Sequence, residues 1–176
     1  MRVIAGELRG RRLAEPNTMD IRPTTDRAKE GLFNTINYYI EDADFLDLFS
    51  GACGIAIEAA SRGARRVVAV DNSKESMRVF KLNDAKMDTG IEYYNSDVIR
   101  FLERDTNTYD YIFLDPPYDM EVENLEQILN LCIERLNPGA DLILEFPSYS
   151  KFNFEKLEIK KQKKYGKSSF FFFEEK

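Results

Sequence analysis

The sequence predicts a single α/β domain with a doubly wound, mostly parallel sheet of seven strands that ends in an antiparallel hairpin. From residue 44 onward, short apolar runs alternate with amphipathic helical segments, and this alternation is typical of βαβ units. The last two apolar runs have no helix between them, which indicates a hairpin. A chain of 176 residues has the length of one domain with a full hydrophobic core.

Residues 1–40 are expected to form a short N-terminal extension of this domain, a hairpin followed by a helix. A strand is predicted over residues 2–6, and Gly6 and Gly10 mark a tight turn. Polar residues that can cap the helix follow Pro23, namely Thr24, Thr25 and Asp26. Apolar residues then recur at helical spacing, at Ala28, Leu32, Ile36 and Tyr39. Charged residues are expected around the start of this helix, at Arg22, Arg27, Lys29 and Glu30, and salt bridges among them are the alternative to a functional role.

Residues 41–176 are expected to form the core of the domain. The predicted strands cover residues 45–49, 67–70, 91–94, 109–115, 142–144, 156–165 and 168–174. A small-residue turn, Ser50–Gly54, opens the first helix of the core. The helix after Tyr118 carries apolar residues as far as Leu136, and Pro138-Gly139 is expected to end it.

The net charge of −6 is unevenly distributed along the chain. Residues 1–30 contain seven basic and five acidic residues, residues 31–150 contain ten and twenty-two, and residues 151–176 contain eight and four. Both ends are therefore basic and the middle is acidic, which favours a polyanion held by the two ends. Ordinary variation of surface charge is the alternative.

The rare residue types exclude several classes of function. The chain has no histidine, which removes imidazole as a general base and every catalytic triad that depends on it. Cys53 and Cys132 lie far apart and form no CxxC pair. We therefore expect neither a disulfide nor a metal site, and we expect a cytoplasmic protein. No apolar stretch reaches the roughly 20 residues of a membrane span.

Four acidic residues stand at the carboxyl ends of successive predicted strands, Asp47, Asp71, Asp97 and Asp115. Ligands of a doubly wound sheet bind beyond these ends. Asp71 follows Gly51 by twenty residues, the separation at which an acidic side chain takes ribose hydroxyls, and Asp97 is placed to accept an adenine amino group. Solvated strand ends or helix caps are the alternative, but four acids in register favour a ligand site.

The glycine turn is a weaker signal than the acids. Gly51 and Gly54 do not complete a G-x-G-x-x-G sequence, and a dinucleotide needs a helix N-terminus for its pyrophosphate. S-adenosylmethionine carries a sulfonium cation, a ribose and an adenine, but no phosphate. The acid-rich edge therefore favours S-adenosylmethionine over a nicotinamide dinucleotide.

The motif Asp115-Pro116-Pro117-Tyr118 follows an apolar run that is predicted to be a buried strand. The two prolines make the turn rigid, and the Asp115 carboxylate and the Pro116 carbonyl offer two hydrogen-bond acceptors. An exocyclic amine can donate to both acceptors while the Tyr118 ring covers the flat face of a base. The motif thus predicts binding of a planar ring that carries an amino group. A strand-ending turn with a surface tyrosine is the alternative.

The pairing of D-L-F-S-G at 47–51 with D-P-P-Y at 115–118 resembles class I amino-methyltransferases, which have a Rossmann-like sheet. Further segments resemble the RsmD family, namely residues 2–6, 9–11, 22–27, 58–64 and 165–166. The resemblance runs from Met1 almost to the C-terminus. It implies an enzyme that uses S-adenosylmethionine to methylate N2 of a guanine in small-subunit (16S) ribosomal RNA.

The resemblance also implies which residues act. Catalysis is expected at Asp115, Pro116, Pro117 and Tyr118. Cofactor binding is expected at Asp47, Phe49, Gly51, Gly54, Asp71, Asn72, Asp97 and Val98. RNA contacts are expected from the extension, at Arg9, Arg11, Arg12, Arg22 and Arg27. The sequence departs from the family pattern where Cys53 and Ala56 replace the usual glycines, although both residues are small enough to leave room for a methionine moiety.

Two other functions remain open from the sequence. A DNA or RNA adenine-N6 methyltransferase would also use D-P-P-Y, but the short extension leaves little chain for a domain that reads sequence. A non-catalytic RNA-binding module with this fold is favoured only by the altered glycine turn. For the enzyme we expect small-subunit ribosomal RNA as the partner, within an assembled or assembling 30S subunit. We also expect a monomer that has no membrane contact.

Overall fold

A computed structural model describes residues 1–17, 24–37 and 40–176 of the protein. The strands of this part of the chain are β1 (Asp44–Leu48), β2 (Arg66–Asp71), β3 (Glu92–Asn95), β4 (Tyr109–Leu114), β5 (Leu136–Pro147), β6 (Leu157–Tyr165) and β7 (Ser168–Glu175). The helices are α1 (Asp26–Ile36), α2 (Gly54–Ser61), α3 (Lys74–Met87), α4 (Val98–Arg104) and α5 (Val122–Ile133). The predicted core strands are all present, and apart from β5 their bounds differ from the expected ones by one residue.

The strands form one seven-stranded sheet in the order β3-β2-β1-β4-β5-β7-β6. Neighbouring strands from β3 to β5 are parallel, whereas β7 pairs antiparallel with both β5 and β6. The predicted mostly parallel sheet with an antiparallel hairpin is therefore confirmed. The strand order reverses between β1 and β4, and sheets of this type bind ligands beyond the carboxyl ends of the strands at that point.

A hydrophobic cluster covers each face of the sheet. Side chains alternate along each strand, so Phe113 and Ile143 pack with α1, α2 and α3 on one face, which we call the α2 face. Leu114 and Leu144 pack with α4 and α5 on the other, the α5 face. Because helices cover both faces, the strand ends remain as the accessible part of the central sheet. No helix in the described ranges combines the length and the apolarity needed to cross a membrane.

Helix α1 begins at one of the three caps that the sequence predicts. The Thr25 hydroxyl accepts a hydrogen bond from the Ala28 N–H at 3.2 Å, which satisfies a backbone donor of the first turn. Leu32 and Phe33 are buried, and the Phe33 ring stacks on Phe45 of β1 with centroids 6.2 Å apart. The predicted apolar stripe of α1 is therefore confirmed as far as Ile36, while Tyr39 lies outside the described residues.

Strand β5 is longer than predicted. It begins at Leu136, which was expected on α5, and it continues through Pro138-Gly139. Tyr109 pairs with Leu136, but Tyr111 already pairs with Asp141. The intervening residues of β5 bulge out of the ladder, and a bulge tolerates Pro and Gly because it needs no regular N–H pairing. The predictions that Pro138-Gly139 would end α5 and that the strand would span only residues 142–144 were therefore wrong.

The N-terminal segment, residues 1–14, packs on α2 and α3. The strand predicted near the N-terminus was wrong, because only a single bridge between Arg2 and Arg12 is present there. Helix side chains satisfy the backbone instead. The Ala14 N–H, for example, donates to the Asn83 side chain of α3 at 2.7 Å. The segment is thus held mainly by helices, at a distance from the sheet ladders.

Gly6 allows the closest contact between this segment and α2. Its φ of +85° favours glycine, and a Cβ at this position would lie 1.8 Å from the Ser61 carbonyl oxygen. The Ser61 hydroxyl donates to the Ala5 carbonyl at 2.6 Å and accepts from the Leu8 N–H at 2.9 Å. Gly6 and Ser61, which both lie in segments that resemble the RsmD family, therefore fit the hairpin onto α2.

A buried ion cluster of Lys29, Glu58 and Arg62 lies under this segment, and each of the three side chains is 0% exposed. Lys29 Nζ lies 3.4 Å from Glu58 Oε2 and also donates to the Arg2 carbonyl. Arg62 Nε donates to Glu58 Oε1 at 2.9 Å. Burial lowers the pKa of Lys29, and the Glu58 charge opposes that shift. Lys29 thus pairs with a carboxylate of α2, a partner outside the group of α1 charges that the sequence brought together.

Candidate cofactor and base site

The loop after β1, Phe49–Cys53, lies at the point where the strand order reverses. Three of its residues have a left-handed backbone, Phe49 (φ 57°), Gly51 (φ 53°) and Cys53 (φ 61°). Cys53 thus replaces a family glycine at a position whose conformation favours glycine. Burial raises the pKa of the Cys53 thiol, so this group stays neutral and offers no thiolate nucleophile.

Asp47 is buried beneath this loop and holds the start of α2. Its Oδ2 accepts a hydrogen bond from the Ala56 N–H at 3.1 Å. Burial raises the pKa of Asp47 well above its ordinary value, and the hydrogen bond from Ala56 opposes that shift. Gly54, the first residue of α2, is also buried. Asp47 therefore has a clear role in fixing the loop, and its contact with the cofactor stays a prediction.

Asp71 fixes the same loop from the end of β2. Its Oδ2 accepts from the Gly51 N–H at 2.9 Å, and its Oδ1 accepts from the Ser73 N–H at 2.8 Å. A carboxylate has about four lone-pair positions, so both oxygens keep acceptor capacity for ribose hydroxyls. Asn72 is exposed beside it. The structure thus brings six of the predicted cofactor residues together at the ends of β1 and β2, namely Asp47, Phe49, Gly51, Gly54, Asp71 and Asn72.

Asp97 and Val98 lie at the end of the neighbouring strand, β3. Asp97 is exposed and caps α4, since its Oδ1 accepts from the Arg100 N–H at 3.0 Å. Val98 is buried. The Ser96 N–H donates to the Asp71 carbonyl at 3.1 Å, which ties the ends of β2 and β3 together. Within the described part of the chain, no group of three or more Cys, Asp or Glu residues could hold a metal ion.

The motif at residues 115–118 forms the turn after β4, next to the end of β1. The Asp115 N–H donates to the Leu48 carbonyl at 3.3 Å. Pro116 is buried and Pro117 is exposed, and the Pro117 carbonyl accepts from the Met120 N–H at 3.1 Å. The strand-end position of the motif is as predicted, whereas the roles of Asp115 and the Pro116 carbonyl as acceptors stay predictions.

Tyr118 presents its ring at the surface and is 42% exposed. The Tyr118 ring and the Phe146 ring of β5 form an edge contact, with centroids 5.8 Å apart and planes at 73°. Phe146 in turn packs on Phe152, with centroids 6.0 Å apart. Such edge contacts orient a ring, and an exposed aromatic face can stack on an unpaired base. The support from Phe146 was missed, because an apolar residue in a strand carries no signal of its partner.

Glu145, at the carboxyl end of β5, is a site residue that the sequence interpretation missed. It is 8% exposed, and its Oε1 accepts from the Ser168 hydroxyl at 3.3 Å. Burial raises the pKa of Glu145 to about 7. Its charge also contributes to the raised pKa of Asp47, so the two carboxylates lie near each other. The signal was available, since Glu145 directly follows an apolar strand, just as Asp115 does.

We expect Glu145→Gln to stabilise the protein more at pH 8 than at pH 5. Burial raises the pKa of Glu145 to about 7 in the folded protein, from an ordinary 4.5. Below pH 4.5 the acid is neutral in both states, so its burial carries no charge penalty. As the pH rises through this window, the unfolded chain ionises first and stability falls until about pH 7. The difference between the folded and unfolded pKa values corresponds to at most about 3 kcal/mol in the free energy of unfolding.

Calorimetric unfolding of Glu145→Gln at pH 5 and pH 8 measures this effect. Glu103→Gln is the matched control, because Glu103 is exposed on α4 and should give no pH-dependent gain. An equal gain of Glu145→Gln at both pH values would contradict a buried, charge-sensitive carboxylate.

Two of the arginines predicted for RNA contact, Arg9 and Arg11, lie on the hairpin, away from Asp115. The Glu7 N–H donates to the Ser61 carbonyl at 2.9 Å, so the hairpin that carries Arg9 lies at the C-terminal end of α2, where the strands begin. Arg11 donates to the Lys86 carbonyl of α3 at 3.0 Å. Arg12 and Arg27 are exposed, and Arg22 lies outside the described residues. Any RNA that touches Arg9 must therefore extend to the edge of the sheet opposite the site.

Comparisons with known proteins show which family the chain belongs to. The family model described as "Conserved hypothetical protein 95" matches residues 1–174. A Bacillus subtilis protein named "Putative rRNA methyltransferase YlbH" is 37% identical over 140 residues, which cover 76% of this chain and 74% of that protein. "Ribosomal RNA small subunit methyltransferase D" of Haemophilus influenzae is 35% identical over 152 residues, covering 82% and 78%.

Solved structures show the same fold. The "Putative methyltransferase yhhF" of Escherichia coli superposes with a TM-score of 0.85 at 28% identity, covering 99% of this chain and 97% of that one. A putative methylase from Haemophilus influenzae gives a TM-score of 0.76 at 30% identity, covering 98% and 96%. The fold is therefore the class I, Rossmann-like methyltransferase fold. The chain belongs to the RsmD family, the family of the matching model.

Proposed function

We propose that this protein is an S-adenosylmethionine-dependent methyltransferase that modifies N2 of a guanine in small-subunit ribosomal RNA. The observation that carries the proposal is the intact motif Asp115-Pro116-Pro117-Tyr118 at the end of β4, beside the loop that Asp47 and Asp71 hold. The names of the relatives support ribosomal RNA as the substrate class. The choice of guanine N2 rests on the family resemblance.

The residues at the ends of β1 to β3 fit S-adenosylmethionine. Asp71 and Asp97 each keep carboxylate lone pairs that accept hydroxyl or amine donors, and their negative charge suits a sulfonium cation. When bound, the cofactor supplies a methyl group on a positively charged sulfur. The loop residues Phe49 and Gly51, together with the first turn of α2, would hold its methionine end.

The residues after β4 would prepare the amine for attack. The lone pair of a guanine amine is delocalised into the ring, so the nitrogen must become pyramidal before it can form a bond to carbon. Acceptors at Asp115 and the Pro116 carbonyl favour that geometry, because they stabilise the N–H groups as positive charge develops on nitrogen. Tyr118 would hold the extruded base by stacking. The proton is acidic once the new N–C bond forms, so no histidine is needed to remove it.

Replacement of Arg9, Arg11 and Arg12 by glutamine should weaken RNA binding and flatten its salt dependence. Each lost phosphate contact reduces the magnitude of the slope of log K against log salt by about 0.7 to 0.9. The slope of the triple variant should therefore be smaller in magnitude by roughly 2 to 3. Filter binding at several salt concentrations measures the slope.

The matched control for this experiment removes three exposed charges from the acidic middle of the chain, at Lys74 and Lys81 of α3 and Arg104 of α4. An unchanged slope in the arginine variant would show that Arg9, Arg11 and Arg12 do not contact the phosphates and have a structural role instead. An equal drop in both variants would indicate a general effect of charge, with no dedicated contact at the hairpin.

The proposed activity is tested with labelled cofactor and three acceptors: small ribosomal subunits that lack the modification, the naked RNA, and DNA. We expect label in the subunits or their RNA, and mass mapping should place it on N2 of one guanine. Label only in DNA would contradict a ribosomal RNA substrate and favour an adenine-N6 enzyme. RNA binding without any cofactor binding would favour a non-catalytic module. Sedimentation of the same preparation tests the expected monomer.

A further inference from the structure

Glu145 has an acceptor atom that nothing in the described structure uses. Its Oε1 accepts from Ser168, but its Oε2 is buried and has no hydrogen-bond partner among the described residues. The residue as a whole is only 8% exposed. A buried acceptor without a partner destabilises the fold, so native proteins keep few of them, and those that persist need an explanation.

The position of Glu145 connects it to the proposed base site. Leu114 of β4 pairs with Leu144 of β5, so the next residues of the two strands, Asp115 and Glu145, follow at neighbouring strand ends. Side chains alternate along a strand, and Ile143 packs on the α2 face, which places Glu145 on that face as well. The influence of the Glu145 charge on Asp47 agrees with this placement.

The order of the strands indicates which ligand would meet Glu145. The cofactor residues lie on β1, β2 and β3, on one side of Asp115, whereas β5 lies on the other side. Asp47 of β1 also lies near Glu145, but its Oδ2 already accepts from the Ala56 N–H. Asp115 follows the strand next to Glu145, so the molecule held at Asp115, which in the proposed function is the target base, is the ligand expected to donate to Glu145. Burial also raises the pKa of Glu145 to about 7, because the charged form loses its hydration. A hydrogen-bond donor from the ligand would replace that hydration and stabilise the charged form.

We infer that Glu145 accepts a hydrogen bond from the ring N1–H of the target guanine and so selects guanine over bases that lack this proton. The inference rests on the proposed function and deepens it. Guanine presents N1–H directly beside its N2 amine, so acceptors on two neighbouring strands, which lie about 4.8 Å apart, can each take one of these donors. Adenine presents an N1 lone pair beside its amine, and a carboxylate repels that lone pair.

The test uses 2-aminopurine in place of the target guanine in the RNA, once the methylated position has been mapped. 2-Aminopurine keeps the reacting 2-amine but has a lone pair at N1. The unmodified protein should prefer guanine over 2-aminopurine by about 10- to 100-fold in kcat/KM, because the analogue leaves a buried acceptor unpaired. Glu145→Gln should reduce this preference to about threefold or less, since an amide can donate to the N1 lone pair.

The controls separate failure of the inference from failure of the proposed function. Glu134→Gln, an exposed change at the end of α5, should keep the preference of the unmodified protein. If guanine RNA is methylated and Glu145→Gln discriminates as strongly as the unmodified protein, Glu145 does not read N1. If the unmodified protein does not methylate guanine RNA at all, the proposed function fails first.

A second measurement does not depend on turnover. The fluorescence of 2-aminopurine reports binding of the substituted RNA directly, because stacking on an aromatic ring quenches it. Glu145→Gln should bind this RNA about 10-fold more tightly than the unmodified protein does, while both proteins bind cofactor equally. Equal affinities of the two proteins for the 2-aminopurine RNA would overturn the inference even if the variant were catalytically weak.

Discussion

Asp115→Ala should lower the rate of methyl transfer by about 100- to 1000-fold or more, while the affinity for S-adenosylmethionine stays within about a factor of three of the original. Asp115 follows β4, whereas the proposed cofactor residues Asp71 and Asp97 follow β2 and β3. The substitution therefore removes an acceptor for the base and leaves the cofactor contacts intact. Single-turnover transfer of labelled methyl and calorimetric titration with cofactor measure the two quantities.

Asp119→Ala is the matched control, because Asp119 is an exposed acid one residue beyond the motif. It should transfer methyl at close to the original rate. Asp115→Asn should fall between the two variants, since an amide keeps one carbonyl acceptor and loses the charge. An unchanged rate in Asp115→Ala would remove this residue from the reaction, and a parallel loss of cofactor affinity would assign it to the cofactor instead.

Glu58→Ala should destabilise the fold by about 3–5 kcal/mol. Its carboxylate is paired with Lys29 and Arg62 and accepts from the N–H groups of Ile4 and Ala5 at 3.0 and 3.1 Å. Without it, two buried cations and two backbone donors lose their acceptor. For a chain of this length, roughly 2–4 °C of melting temperature corresponds to each kcal/mol, so thermal unfolding should show a loss of at least about 6 °C.

Glu30→Ala supplies the control, since Glu30 is exposed on α1 and should change stability by less than about 0.5 kcal/mol. The double variant Lys29→Met with Glu58→Ala should cost less than the sum of the single changes, because it removes one stranded charge. Additive costs would contradict a coupled cluster. Hydrogen exchange should show the earliest loss of protection in residues 3–13, which this cluster holds in place.

Much of the fold could be predicted because its signals are local. An apolar run such as Leu142–Leu144 is buried on both faces of a parallel sheet, and that burial is readable from hydrophobicity alone. The start of α1 was equally readable, since Thr25 accepts from the Ala28 N–H at 3.2 Å, as an N-cap threonine does. The missing helix between β6 and β7 correctly indicated the antiparallel hairpin.

The errors in the predicted fold come from contacts between distant residues. Lys29 was expected among the charges of α1, whereas Glu58, on another helix, supplies its charge partner. Residues 2–6 look like a strand until α2 supplies their hydrogen-bond acceptors. The length of β5 depends on the register with Tyr109 of β4. No pattern within a short window of sequence contains these pairings.

In the candidate site, too, residues with a local sequence signal could be predicted, whereas features that depend on distant contacts could not. The rule that ligands bind at strand ends made Asp71 and Asp115 candidates, and applied to β5 it would have added Glu145 to them. The left-handed backbone at Phe49 and Cys53 could not be read from the sequence, because residues with side chains seldom adopt it. Here the hydrogen bonds from Gly51 and Ala56 to two buried or half-buried carboxylates impose the loop conformation.

The docking of the hairpin onto α2 and α3 has a consequence for how the chain folds during translation. Leu8 bonds to Ser61, 53 residues later, and Arg11 bonds to the Lys86 carbonyl, 75 residues later. The hairpin therefore cannot complete these contacts until both helices have been synthesised. Since long loops close slowly, the nascent hairpin stays undocked through much of synthesis and joins the domain as one of its later events.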